Sequence, residues 1–158
     1  MSLAMRMLHE DLTKRIVGVY YEVYNELGHG FLERVCQTAM VMALTEAGLS
    51  VVQNVPFQVW FRGVSIGDFV ADVIVEGKVL VELKSASALH PWNEAQVLNY
   101  LRVSSLEVAL LMNFGPKPEY RRRILTNERK TPQRFDLRSS RTEVPEIRVV
   151  RAVKDPGP

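Results

Sequence analysis

Apolar and polar residues change their spacing along the chain, first following a helical period and then a strand period. Apolar residues three and four positions apart predict helices over about residues 11–27 and 31–47. From about residue 51, alternating residues predict three strands of an antiparallel β-meander, with turns near residues 62–63 and 76–77. The first half of the chain therefore predicts two helices followed by a β-meander.

One more helix and one more strand are predicted after the meander. Pro91 suits the first position of a helix that extends to about residue 102, and strand character returns over about residues 107–112. A strand, a helix and a strand in this order form a crossover unit, whose strands lie parallel with a right-handed connection. We therefore predict an α/β fold with a mixed sheet of antiparallel and parallel strands.

Three charged residues interrupt the apolar pattern of the central hairpin: Asp72, Glu82 and Lys84. Because side chains alternate across a strand, Glu82 and Lys84 share one face of the sheet. Asp72 joins that face only if the hairpin loop has an odd number of residues or contains a bulge. We therefore predict a three-residue loop over residues 75–77, with Gly77 in the left-handed conformation.

A cluster of this kind needs positive charge. Two carboxylates about 5 Å apart repel by about 3 kcal/mol at an effective dielectric constant near 20, unless one of them is protonated. Lys84 supplies one positive charge, and Mg²⁺ or Mn²⁺ could supply more, with the main-chain carbonyl of Leu83 as a further oxygen ligand. Such an ion lowers the pKa of a bound water, and the Lys84 ammonium could stabilise charge developing on a phosphodiester.

Three other polar residues could reach this cluster. Glu33 lies in the first turn of the second helix, where the helix dipole alone already favours a carboxylate. Gln96 and Tyr100 lie four residues apart on one side of the crossover helix, from which they could reach Glu82 or a bound phosphate. A solvent-facing amide and a partly buried tyrosine explain the same pattern, so the residues alone leave both interpretations open.

Four blocks of sequence, over about residues 10–124, together resemble the GxxExxY proteins. They are GFLERVC from Gly30, GDFVADVIVEGKVLVELKS from Gly67, NEAQVLNYL from Asn93 and LLMNFG from Leu110. That family is similar to the PD-(D/E)XK nuclease superfamily, so the resemblance implies a restriction-endonuclease-like fold, with a mixed central sheet flanked by helices.

The resemblance also implies roles for residues of this chain. Asp72 and Glu82 match the two metal-binding carboxylates of active members, and Lys84 matches the catalytic lysine. Glu33 matches an acidic residue from an N-terminal helix, and Gln96 matches the helix glutamine that often completes such sites. The resemblance thus favours a site role for Glu33 and Gln96 over the alternatives that their pattern leaves open.

Charge is distributed unevenly along the chain. Residues 1–116 carry 8 Lys and Arg against 12 Asp and Glu, a net charge of −4, whereas residues 117–158 carry 12 against 6, a net charge of +6. Arg121, Arg122 and Arg123, with Tyr100, are therefore candidate contacts for nucleic acid, although a solvated charge cluster is the commoner meaning of such a run.

The sequence predicts one nuclease-like domain over residues 10–126 and a basic extension over residues 127–158. The extension is polar and charged, which indicates partial disorder, and residues 146–153 form a candidate edge strand that could pair with another chain in a homodimer.

Cysteine usage and hydropathy bear on location. Cys36 is the single cysteine of the 158 residues, which excludes an internal disulfide and fits a reducing compartment. We expect no membrane span and no signal peptide, and hence a cytoplasmic protein. Cys36 also stands where the family signature has a tyrosine, so a role that needs a hydroxyl is absent at this position, whereas a packing role survives.

Two hypotheses follow for function. The first is a metal-dependent nuclease that hydrolyses phosphodiester bonds of nucleic acid, with DNA expected. The second is a catalytically inactive domain of the same fold that binds nucleic acid or a protein. It is favoured by the acidic balance of residues 1–116. The chain contains no phosphate-binding P-loop and no nucleophile elbow, which argues against those two enzyme classes.

Overall fold

A single mixed sheet organises residues 2–130, which are the residues described by the computed structural model. The helices are α1 (Leu3–Met7), α2 (Glu10–Leu27), α3 (Glu33–Glu46) and α4 (Pro91–Val103), with a short 3₁₀ helix at Asn127–Arg129. The strands are β1 (Val51–Phe61), β2 (Val64–Val75), β3 (Val79–Lys84), β4 (Val108–Phe114) and β5 (Pro118–Ile124). The predicted edge strand over residues 146–153 lies outside the described residues.

The strands lie in the order β1-β2-β3-β4-β5. β3 and β4 are parallel because α4 connects them, and the other neighbouring pairs are antiparallel. The predicted α/β fold with a mixed sheet is therefore confirmed. β5 is an addition, since the apolar pattern did not predict a strand after β4.

Helices cover both faces of the sheet. On one face, α2 and α3 pack against alternate residues of β3 and β4, including Val81 and Leu110. On the other face, α4 packs against the intervening residues, including Leu80 and Ala109. Both faces of these two central strands are thus buried, which explains why their sequences are almost entirely apolar. A charged residue within them, such as Glu82, is exceptional.

The hairpin between β2 and β3 has the parity that the sequence predicts. Val75 pairs with Val79 and Val73 with Val81, which leaves a three-residue loop over residues 76–78. The loop is displaced by one residue from the predicted 75–77, and Glu76 as well as Gly77 has a positive φ, at 54° and 62°. The odd length of the loop is confirmed, and it fixes the faces of the charged residues.

Candidate functional site

The candidate site lies where the pairing between β2 and β3 stops. The last paired residues are Val73 and Val81, although β3 continues to Lys84. Beyond that pair, the N–H of Leu83 donates to Oδ2 of Asp72 at 2.8 Å. A side chain thus takes the position of a main-chain acceptor, and β2 and β3 form a fork. We use the term fork for this end of the hairpin.

Glu82 lies in the fork with only 3% of its surface exposed. Its Oε1 lies 3.4 Å from the Lys84 Nζ, whereas its Oε2 is buried and has no hydrogen-bond partner among the described residues. Burial, with a further contribution from the nearby Asp72 charge, raises the pKa of Glu82 to about 7, although Lys84 opposes the shift. A buried carboxylate in this condition holds a proton near neutrality or needs a cation.

The two other carboxyl groups at the fork are perturbed in the same direction. Burial raises the pKa of Asp72, against the opposing effects of the Leu83 N–H and of Lys84. Burial also raises the pKa of Glu33, where Lys84 opposes the shift and Asp72 adds to it. Three acidic groups therefore share one ammonium, and the cluster is short of positive charge.

Glu33 is brought to the fork from the start of α3. Its Oε1 lies 4.0 Å from the Lys84 Nζ, and about half of its side chain remains exposed. The preceding loop is attached to the end of β3 because the Ser85 hydroxyl donates to the Phe31 carbonyl at 2.6 Å. The sequence signal that α3 starts near this residue could not by itself show this contact.

Gln96 and Tyr100 form a polar pair on α4. The Gln96 side-chain amide donates to the Tyr100 hydroxyl, and that hydroxyl donates to the Val70 carbonyl, each at 3.1 Å. Burial, then the charge of Glu82, raises the pKa of Tyr100 to about 12. Tyr100 is only 3% exposed. Burial leaves little of Tyr100 available to the predicted contact with nucleic acid, and its hydroxyl supports β2 beside the fork.

The arginine run lies on β5 rather than in an exposed loop. Arg121 forms an ion pair with Glu94 of α4 at 3.6 Å and a second with Glu119, while Arg123 also pairs with Glu94. Arg122 donates to a main-chain carbonyl just before α2. These contacts join β5 to the helices, so any phosphate contact by the run competes with ion pairs that the protein already makes.

The residues of the fork fit a hard divalent cation. Within residues 2–130, no three side chains of His, Cys, Asp or Glu lie together as a metal site. An ion would therefore depend on Asp72 and Glu82, with main-chain oxygen such as the Leu83 carbonyl and with water. Magnesium characteristically binds through one or two carboxylates and keeps several waters. The unpartnered Glu82 Oε2 is an oxygen available for this purpose.

A cleft beside the fork was not predicted from the sequence. It has a volume of about 600 Å³ and is lined by residues 29–33, 85–87 and 114–116. Asn113 fixes one wall, since its side-chain amide accepts from the Ala86 N–H at 3.0 Å and donates to the Ala86 carbonyl at 2.9 Å. The sequence signal that could have indicated this cleft was Asn113, a polar residue within an apolar strand, which is buried in the structure.

Comparisons with known proteins bear on the fold and the family. A solved structure titled "Crystal structure of SSO0001" matches with a TM-score of 0.50 and 15% identity, over 77% of this chain and 61% of that chain. At that identity the likeness shows the fold alone. A comparison with curated proteins gave no match, and no helix in residues 2–130 is long and apolar enough to cross a membrane. A family model for the PD-(D/E)XK nuclease superfamily matches residues 10–124, a range that contains the whole fork. The chain therefore belongs to the PD-(D/E)XK nuclease superfamily.

Proposed function

We propose that this protein is a metal-dependent nuclease that hydrolyses phosphodiester bonds, with DNA as the expected substrate. The observation that carries the proposal is the buried Glu82 carboxylate, which has one unpartnered oxygen and lies beside Asp72 and Lys84. Membership of the superfamily supports a nuclease, and its members typically use divalent metals.

Each residue of the fork has a proposed role. Asp72 and Glu82 would hold Mg²⁺ or Mn²⁺ together with the Leu83 carbonyl. When bound, the ion would polarise the phosphate and lower the pKa of a water. Lys84 keeps an ammonium next to Glu82, where it can orient the water or stabilise negative charge on the phosphate in the transition state.

Glu33 and Gln96 support this site in different ways. The 4.0 Å approach of Glu33 to Lys84 lets its carboxylate orient the ammonium. Among residues 2–130, Gln96 donates its side-chain hydrogen bond to Tyr100, so we propose that it is a positioning residue. Tyr100 in turn donates a hydrogen bond to the Val70 carbonyl, two residues before Asp72 on β2. Gln96 would thus help to fix the position of the Asp72 carboxylate.

Replacement of Lys84 tests the proposed function. We expect Lys84→Ala to lower cleavage of plasmid and oligonucleotide DNA in Mg²⁺ or Mn²⁺ by on the order of 100-fold or more, the usual effect of losing one group that stabilises transition-state charge. The matched control is Lys78→Ala, because Lys78 is an exposed lysine in the loop of the same hairpin. EDTA should abolish the activity of the wild type. Equal cleavage by wild type and Lys84→Ala would identify a contaminating nuclease and refute the proposal.

A non-catalytic binding domain is the second candidate. The net charge of −4 over residues 1–116 favours it, because a protein that cleaves long duplexes ordinarily presents a basic surface. Cys36, in place of the signature tyrosine, is a further departure from the GxxExxY pattern. Retained binding of nucleic acid without turnover, with no loss of binding in Asp72→Asn, would favour this candidate over the nuclease.

Four finer assignments also remain proposals. The block from Gly30 to Cys36, with Glu33 at the fork, supports a place among the GxxExxY proteins. The free, buried thiol of Cys36 supports a reducing compartment such as the cytoplasm. We also propose a nuclease-like domain over residues 10–126 and a homodimer formed through the basic extension. A concentration-dependent mass by light scattering that vanishes on truncation after Thr126 would support the homodimer.

A further inference from the structure

The cleft beside the fork is continuous with the proposed reaction centre. Glu33 belongs to both, because it lines the cleft and its carboxylate lies 4.0 Å from the Lys84 Nζ. The other walls come from the connector that directly follows Lys84 and from the turn after β4. A nucleic-acid strand whose phosphate reaches Lys84 therefore has its neighbouring nucleotide at the mouth of the cleft.

The lining of the cleft suits a base better than a phosphate. Phe31 and Leu32, which lead into Glu33, line the cleft and are 47% and 66% exposed. They give the cleft an apolar surface on which a ligand can pack. None of the described residues that line the cleft is a lysine or an arginine, and Glu33 contributes an acidic group. A phosphate backbone would find neither lysine nor arginine among these lining residues, whereas the flat apolar face of a nucleobase can stack on the Phe31 ring.

The walls of the cleft are held in place before any ligand binds. The Ser85 hydroxyl holds the Phe31 main chain at 2.6 Å, and Asn113 makes two hydrogen bonds to Ala86. Gly115 packs so closely that an added Cβ would lie 2.3 Å from the Ala86 carbonyl oxygen. A site assembled in advance loses little conformational entropy on binding, so a modest stacking surface is enough to contribute to affinity.

We propose that this cleft binds an unstacked nucleobase next to the scissile phosphate, so that the enzyme prefers single-stranded or frayed nucleic acid to an intact duplex. The proposal rests on the proposed nuclease function. A base inside a duplex must first be unpaired and unstacked before it can enter a pocket, whereas a base in a single strand is already accessible. The acidic balance of residues 1–116 agrees with this, since stacking does not depend on a basic surface.

The test compares Phe31→Ala with Phe61→Ala. Phe61 is a matched control because it is 57% exposed, lies at the end of β1 and does not line the cleft. The substrates are one sequence as single-stranded DNA, duplex DNA and single-stranded RNA. We expect Phe31→Ala to lower kcat/KM on single strands by about 5- to 150-fold and to change duplex cleavage little. Phe31→Tyr should restore single-strand cleavage, and Phe61→Ala should leave both activities unchanged.

A binding measurement separates this proposal from the nuclease itself. In the Lys84→Ala background, a single-stranded oligonucleotide containing 2-aminopurine should lose fluorescence on binding as the base stacks, and adding Phe31→Ala should remove that loss. Phe31-dependent quenching, together with a wild type that cleaves no substrate in Mg²⁺ or Mn²⁺, would keep the base site and refute the nuclease. Wild-type cleavage that is equal on single strand and duplex, or equal loss on both in Phe31→Ala, would overturn the base site alone. The RNA arm determines which sugar the site accepts.

Discussion

Glu82→Gln should remove a large part of the pH dependence of stability in the metal-free protein. The folded pKa of Glu82 is raised to about 7 from 4.5, so the folded state holds this proton more tightly than the unfolded state. The stabilising contribution of the protonated group is therefore complete below pH 4.5 and is lost as the pH rises through about 7. A shift of this size corresponds to about 3 kcal/mol between pH 5 and pH 8.

The substitution isolates this effect because it keeps the shape of the side chain. Glutamine retains an oxygen that can accept from Lys84 at the position of Oε1, which lies 3.4 Å away in the wild type, and it carries no charge at any pH. Removing the Glu82 charge also relieves part of the repulsion at Asp72, since the two carboxylates interact. We therefore expect Glu82→Gln to be more stable than the wild type at pH 8 and about equal to it, or less stable, at pH 5.

Urea unfolding in EDTA at pH 5, 6, 7 and 8 measures the difference. The wild type should lose about 3 kcal/mol more of its unfolding free energy than Glu82→Gln across this range. Glu46→Gln, which changes an exposed acid at the end of α3, is the matched control and should behave as the wild type. Parallel pH profiles for wild type and Glu82→Gln would refute the reasoning, because the buried carboxylate would then not be perturbed by its surroundings.

The remaining predictions concern residues that support the fork and the cleft, and one glycine of α2. Asp72→Asn keeps an oxygen that can accept from the Leu83 N–H, so it should unfold at nearly the wild-type temperature; Asp72→Ala leaves that N–H unpaired and should cost about 1–3 kcal/mol of stability by thermal unfolding. Equal stability of both variants would contradict the fork geometry. Gly115→Ala should destabilise by about 1–3 kcal/mol and lower cleavage, because its Cβ would collide with Ala86. Gly18→Ala in α2, whose Cβ meets nothing, should instead stabilise by about 1 kcal/mol.

The sequence was sufficient to predict which residues of the central hairpin share a face, because this depends only on whether the loop has an odd or even number of residues. Charged residues at 72, 82 and 84 share a face only for an odd loop, and the three-residue loop in the structure has that parity. The exact loop position differed by one residue, since Glu76 adopts a positive φ that a non-glycine residue rarely takes. The one-residue displacement leaves the faces unchanged, so the prediction of a shared face did not depend on it.

The sequence did not predict strand β5, because charged residues occupy both faces of this strand. Arg122 points toward the helices and donates to the main chain there, while Arg121 and Arg123 pair with Glu94 of α4. The apolar alternation that identifies a strand is therefore missing. Glu94 is almost thirty residues away in sequence, and no local pattern shows that the arginine charges are already compensated.

The fork favours the nuclease over a domain that only binds. A binding domain gains nothing from a carboxylate that is 3% exposed, lacks a partner for one oxygen and lies beside a second carboxylate. An uncharged side chain at position 82 would relieve that cost, which amounts to about 3 kcal/mol for the ionised form. A divalent ion relieves the same cost while the charge is kept, because its affinity for the folded state is added to stability. The proposed nuclease, which needs a divalent ion at the fork, thus accounts for keeping Glu82, whereas the proposed binding domain does not.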